Sequence, residues 1–286
     1  MLKAPLDAIT VDITRHLQVA CDRLRVEWLI VGATARVILL EHVLGFPPAR
    51  ATRDVDFAVA IDSWQKFDEL KQQLEATGRF VASRDEKQRL RYFPAGTTAG
   101  RGIAVDLVPF GGVERPQFTI AWSPDADTHL HVFGYGDALA SAVEVTLHDD
   151  LRVRVASLPG QTLLKISAWL DRRFLADGRD ARDVTTLVRS YETAGNQARV
   201  YEQDPEVCES LAWDPELMGA HLMGSDARQL ASAATQDRIR IILADRDLLL
   251  RLAQDMSRGM VGRDDAIEHS ERLLYAFARG FGLASN

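Results

Sequence analysis

Ala51-Thr52-Arg53-Asp54-Val55-Asp56-Phe57-Ala58-Val59 sets two carboxylates one residue apart at the head of an apolar run. In an extended chain successive side chains alternate sides, so Asp54 and Asp56 share one face while Val55 and Phe57 turn to the other, buried face. Two hard oxygen donors on one face suit Mg2+, which binds through one or two carboxylates plus waters and substrate phosphates. The same pair also suits two solvated side chains at a strand edge, the common fate of aspartate. The surrounding sequence has to decide.

Upstream, residues 8 to 25 carry Ile9, Ile13, Leu17, Ala20 and Leu24 at helical spacing. Trp28-Leu29-Ile30-Val31 reads as a short buried strand that stops at Gly32. Gly32-Ala33-Thr34-Ala35 then opens a helix to about Leu44, ended by Gly45-Phe46-Pro47-Pro48. A strand, a glycine and a helix start present backbone N–H groups, a cradle for phosphate oxygens, although a plain strand-to-helix turn would use the same residues. Downstream, Asp62-Ser63 caps a helix from Trp64 to about Ala76 with Phe67, Leu70 and Leu74 on one face. Strands are expected at Arg79 to Ser83, Arg89 to Pro94 and Ile103 to Phe110. A short helix at Asp137 to Ser141 and strands at Ala142 to Leu147 and Leu151 to Val155 follow.

From Pro159 onward the pattern is almost entirely helical. The expectation is a mixed α/β half over residues 1–150 joined to a helical lobe over residues 151–286.

Two further features bear on the aspartate pair. Asp106 sits inside the apolar run Ile103-Ala104-Val105-Asp106-Leu107-Val108-Pro109-Phe110. A carboxylate there is costly unless paired, hydrogen-bonded or holding a metal, and one beside the pair could also take the proton of an attacking hydroxyl. Lys165 and Arg172 fall on one face of a helix in Lys165-Ile166-Ser167-Ala168-Trp169-Leu170-Asp171-Arg172, followed by Arg179-Asp180-Ala181-Arg182-Asp183. They could receive the charge of a triphosphate, or form a solvated charged stripe in which Arg179 pairs with Asp183.

Taken in order, G-[GA]-T-A at Gly32 to Ala35, R-x-T-x-D-x-D at Arg50 to Asp56, V-D-L-[IV]-P-F-G at Val105 to Gly111, K-x-x-A-W-x-x-R at Lys165 to Arg172 and R-D-x-x-D at Arg179 to Asp183 resemble the AbiEii/AbiGii nucleotidyltransferases. That group includes the toxins of AbiE-type toxin–antitoxin pairs and the mycobacterial MenT toxins. The resemblance spans about residues 25 to 190. It implies an α/β fold with a DNA polymerase β-like nucleotidyltransferase core and mixed sheet, followed by a helical lobe. It also implies that Asp54 and Asp56 hold Mg2+, with Mn2+ as a substitute, that Thr52 sits beside the incoming nucleotide, that Lys165 contacts its phosphates and that Asp180 completes the site. The activity implied is transfer of a nucleotide from an NTP to the 3′ end of tRNA, blocking translation, with a cognate antitoxin as partner. Ala33 departs from the family, which more often has a second Gly or a Ser there.

The nucleotide-binding set expected is therefore Gly32, Ala33, Thr34, Thr52 and Arg172; the catalytic set is Asp54, Asp56, Asp106, Lys165 and Asp180, with Asp54, Asp56 and Asp106 around the metals. For a tRNA acceptor, Arg84, Lys87, Arg89 and Arg91 after the Trp64 helix, with Arg172, Arg173 and Arg182, are the basic candidates, and Tyr92 and Trp122 the nearby aromatics. Lys87, Arg89 and Arg91 would form one row on a strand, which equally describes an exposed polar hairpin face. A small hydroxylated acceptor such as an aminoglycoside and a catalytically silent binding module are the competing readings.

Composition bounds all of these. The chain has 286 residues, 47% hydrophobic and 26% charged, with a formal net charge of -7. Such a balance argues against indiscriminate coating of nucleic acid, which relies on many Lys and Arg. Cys21 and Cys208 lie far apart without a zinc-like pattern, and read as buried thiols in a reducing cytoplasm. No segment reaches the roughly 20 apolar residues a membrane span requires, so a cytoplasmic protein is expected. Past Tyr191 the apolar stripes through Ile239, Ile242, Leu252, Leu273, Leu274 and Phe277 read as core. His221 and His269 have no metal-like neighbours in sequence, and Asp264-Asp265 reads as a helix start.

Overall fold

The D-x-D run lies in the middle of a sheet, flanked on both sides by apolar strands. A computed structural model describes residues 2–48, 54–97, 100–116, 118–122, 129–148, 150–175 and 178–283. The chain divides into two compact units, Met1–Ala156 and Ser157–Asn286.

In the first unit, α1 (Ala8–Leu24) starts at Asp7, whose carboxylate accepts from the Thr10 N–H at 2.9 Å. β1 (Glu27–Val31) leads into α2 (Gly32–Val37), which widens into a π-helical stretch, Ile38–Leu44. β2 (Asp54–Ala60) comes next, then α3 (Trp64–Glu75), which buries Phe67, Leu70 and Leu74 as the spacing requires. β3 (Phe80–Ala82), β4 (Arg89–Tyr92) and β5 (Ile103–Phe110) follow. β6 (Thr119–Ala121) and β7 (His129–His131) make a separate two-stranded sheet that the sequence did not disclose, each being too short to show alternation. α4 (Tyr135–Ala140), β8 (Val143–His148) and β9 (Leu151–Val155) close the unit.

The main sheet has seven strands in the order β3-β4-β5-β2-β1-β9-β8. It is mixed: β2 runs parallel to β5 and β1 parallel to β9, while the other neighbours are antiparallel. Because β9 joins the sheet at Ile30↔Val155, it belongs to the α/β unit, and the division falls after Ala156 where the sequence put it near residue 150. One face of the sheet carries Val55, Phe57, Val105, Leu107, Leu90 and Tyr92, all buried. Helix α1 meets this face at Tyr92, whose hydroxyl donates to Asp12 of α1; burial and that carboxylate push the phenol up to about 12. Cys21 is also buried here, and burial, then Asp22, push its thiol up, so it stays protonated and unpaired.

The second unit is helical: α5 (Leu158–Arg172), α6 (Arg179–Ser190), a π-type turn Glu192–Asn196, α7 (Gln197–Tyr201), α8 (Pro205–Ser210), α9 (Pro215–Leu230), α10 (Ala233–Ala244), α11 (Arg246–Ser257) and α12 (Ala266–Gly280). Its core takes Ile166, Trp169, Val184, Met218 and Met223 together with Ile239, Leu252, Leu273 and Phe277 of the stripes read from the sequence. Helices α9 and α12 cross in backbone contact. A Cβ at Gly224 would come within 2.1 Å of the Phe277 carbonyl oxygen, and one at Gly280 within 1.9 Å of that of His221. Only glycine lets the two helices meet so closely. His269 is buried and bonds Glu216, which Arg189 also holds, so this histidine serves an internal polar network.

Candidate active site

Asp54 and Asp56 stand at the head of β2 on the half-exposed face, and Asp106 enters the same face from β5 by register, Asp56↔Asp106. On its other side Asp56 is paired with Val31, the last residue of β1. Gly32 follows directly and has φ +65°, and a Cβ on it would sit 2.2 Å from Asp56 Oδ2. The expected strand-Gly-helix turn thus gains a specific reason: the bare Cα leaves room for the Asp56 carboxylate. Ala33 lies in the first turn of α2, half-buried. Thr34 is buried and spends its hydroxyl on the Asp54 carbonyl oxygen at 3.1 Å, so its side chain fixes β2 and is not offered to a ligand. Thr52 lies outside the described residues.

Asp106 is not an open ligand. Arg89 of β4, its register partner, donates from Nε to Oδ1 and from Nη2 to Oδ2, both at 2.7 Å, and from Nη1 to Glu86 Oε2 at 2.5 Å. The pair is mostly enclosed, with side-chain exposures of 22% for Arg89 and 13% for Asp106. Hydrogen bonding to Asp106 holds the guanidinium above even its usual range, against the opposing effect of burial. This pairing was missed in the sequence, where Arg89 read as a basic residue for the acceptor. Of the row expected of Lys87, Arg89 and Arg91, Arg89 and Arg91 share a face of β4 opposite Leu90 and Tyr92, and Lys87 lies outside the strand. Lys87 precedes β4 in a turn and donates to the Trp122 carbonyl, Arg89 is held by Asp106, and Arg91 donates to the Arg101 carbonyl. Tyr92 and Trp122 are only 1% and 6% exposed, Trp122 packing against Trp64 and Phe67, so neither is a surface platform for a base.

Among the described residues no three His, Cys, Asp or Glu side chains converge as a ready-made metal cage. The donor set nonetheless fits a magnesium-type ion. Two carboxylates on one open face, with a third one strand away, are what that ion takes when substrate phosphates and waters supply the remaining oxygens.

In the second unit, Lys165 and Arg172 of α5 do share a face, and both meet carboxylates of α6. Lys165 Nζ lies 3.3 Å from Asp180 Oδ1 and 2.6 Å from Asp183 Oδ2, and Arg172 binds Asp180 through Nε and Nη2 at 2.9 and 2.8 Å. Asp183 is thus a partner of Lys165 across the two helices. Asp180 and Lys165 are 8% and 18% exposed, so this cluster is a compensated clasp between two helices.

A family model described as Nucleotidyl transferase AbiEii toxin, Type IV TA system, matches residues 17–265. The chain belongs to this family. The AbiEii protein is accordingly a nucleotidyltransferase, with the α/β nucleotidyltransferase core and mixed sheet described above and a helical C-terminal part. A comparison with curated proteins found no match. Among solved structures, the antibiotic-resistance factor ANT(2'')-Ia in solution is similar at 16% identity and a TM-score of 0.38, over 75% of this chain and 91% of that chain. The Thermotoga maritima CCA-adding enzyme complexed with tRNA is similar at 13% identity and a TM-score of 0.26, over 96% of this chain and 82% of that chain. No described helix of the AbiEii protein is long and apolar enough to cross a membrane.

Proposed function

We propose that the AbiEii protein transfers a nucleotidyl group from a Mg2+-bound NTP to the 3′ hydroxyl of tRNA, acting in the cytoplasm as the toxin of a pair with a cognate antitoxin. The observation that carries the nucleotide half is the pair Asp54 and Asp56 on one half-exposed strand face beside Gly32, with Asp106 in register one strand away. The acceptor half is drawn from the likeness of the motifs to the tRNA-modifying members of the family.

A divalent cation, when bound, would neutralise phosphate charge and lower the pKa of the attacking hydroxyl. Asp54 and Asp56 would hold it, and Mn2+ would serve in place of Mg2+. Thr52 would lie beside the nucleotide. The acceptor oxygen forms a bond to the α-phosphorus while the bond from that phosphorus to the β-phosphate oxygen breaks, and pyrophosphate leaves. Asp106, released from Arg89, takes the proton of the attacking hydroxyl. Lys165 supplies phosphate-directed positive charge, Arg172 a second cation, and Asp180 the carboxylate that holds both.

The test is incubation of the full chain with each α-labelled NTP, Mg2+ and total tRNA. Label is expected on tRNA from at least one NTP. Asp54→Asn or Asp56→Asn should lower transfer at least about a thousandfold, in the upper range for losing one electrostatic contributor to the transition state. Both variants should melt close to wild type, because the two carboxylates are half-exposed. Label that never reaches tRNA would sink the acceptor, and full activity in either variant would sink the site.

A further inference from the structure

The third carboxylate of the site is already spoken for. Arg89 covers both oxygens of Asp106 with a planar, bidentate contact, the strongest geometry available to a carboxylate and a guanidinium. Its remaining terminal nitrogen is anchored to Glu86 Oε2, so Arg89 keeps a carboxylate partner even if Asp106 lets go. Asp54 and Asp56 stand on the same face one strand away, with Asp56 in direct register with Asp106. A cation bridging Asp56 and Asp106 would have to displace a guanidinium that already neutralises Asp106 from within hydrogen-bonding distance.

We propose that Arg89 is a positioning residue of the nucleotidyl-transfer site. Bound to Asp106, it withholds that carboxylate from a cation held by Asp54 and Asp56. Asp106 joins when Arg89 is drawn to Glu86 and to the incoming triphosphate. The inference rests on the reading of Asp54 and Asp56 as metal ligands. It adds that the site is assembled in two stages and that β4 governs the second. Because only molecules with Asp106 free can offer three carboxylates, the apparent cation affinity of the resting protein is reduced by the rarity of that form.

The probe is Mn2+ alone, titrated into the full chain without nucleotide and followed by the electron paramagnetic resonance of the free ion, with circular dichroism confirming the fold. Wild type should bind Mn2+ weakly, and Asp56→Asn should abolish that binding. Asp106→Asn should leave it within about twofold, because Asp106 is withheld. Arg89→Gln should tighten it about tenfold, because a third carboxylate then joins the two that already hold the ion. The double variant Arg89→Gln with Asp106→Asn should return to the wild-type value. Arg89→Lys, which keeps the charge but not the bidentate contact, should fall between. If Arg89→Gln fails to fold, Asp106→Asn and Arg89→Lys carry the test. Binding lost in Asp106→Asn as fully as in Asp56→Asn, or unchanged in both Arg89 variants, overturns the proposal while leaving the metal reading intact. Binding that survives Asp56→Asn overturns the metal reading and this proposal together.

Discussion

Gly32 shows how much of the site is decided by a missing atom. Its φ of +65° lies in the left-handed region, and a methyl group there would collide with Asp56 Oδ2 at 2.2 Å. Gly32→Ala should therefore cost about 1–2 kcal/mol through backbone strain alone. It should also push the Asp56 carboxylate aside, lowering nucleotidyl transfer about a hundredfold or more, in line with the cost of a misplacement of about 1 Å. Melting curves and initial rates measured together check both effects; a variant with normal rates would show that Asp56 does not need that space. The alternation of Asp54 and Asp56 was legible because side-chain direction in a strand follows from spacing alone. The reason for Gly32 was not, since its contact is with a residue 24 positions on, across a strand pair whose register the sequence does not print.

At the scale of elements the same limit recurs. The span of β5 was read to the residue and the apolar face of α3 fell where the helical period put it, because local pattern decides both; in α1 only Ile13, Leu17 and Ala20 of the expected stripe are buried, Ile9 being exposed. What pairs with what was hidden: Arg89 with Asp106 depends on β4 lying antiparallel to β5, and β9 with β1 depends on a parallel contact. The α5–α6 clasp changes what a lysine substitution should do. A solvated charged stripe, one of the two readings of the sequence, would let Lys165 be removed at little cost in stability. Lys165 in fact neutralises Asp180 and Asp183, both largely enclosed. Lys165→Ala should then abolish transfer and also destabilise by about 2 kcal/mol, somewhat below the cost of breaking a fully buried pair. That corresponds to a melting temperature lowered by about 4–8 °C. Lys165→Ala combined with Asp183→Asn should recover most of the melt and none of the activity; recovery of neither would place the loss in packing.

Across the whole molecule, acid is the condition that should discriminate between the units, because the shifted groups that titrate in acid while partly buried, Glu216 and His221, both lie in the helical one. His221 of α9 has its pKa lowered by burial and then by Arg279, and its Nδ1 lies 2.6 Å from Gln203 Oε1. Between its folded and ordinary values the unfolded chain takes up a proton that the folded chain does not. The contribution is complete above about pH 6.5 and is lost as pH falls below it. Glu216 is pushed up by burial but pulled further down by Arg189 and His269, so its pKa is lowered. Its contribution is present above about pH 4.5 and is lost as pH falls through the lower, folded value. Melting monitored at Trp169 and Trp213, the tryptophans of the second unit, should therefore soften as pH falls below about 6.5 and fall again below about pH 4.5. His221→Gln keeps a donor for Gln203 and removes the titration, so it should flatten the first step and leave the second. A first step that survives in this variant would assign it to another group and remove His221 from the account of acid sensitivity.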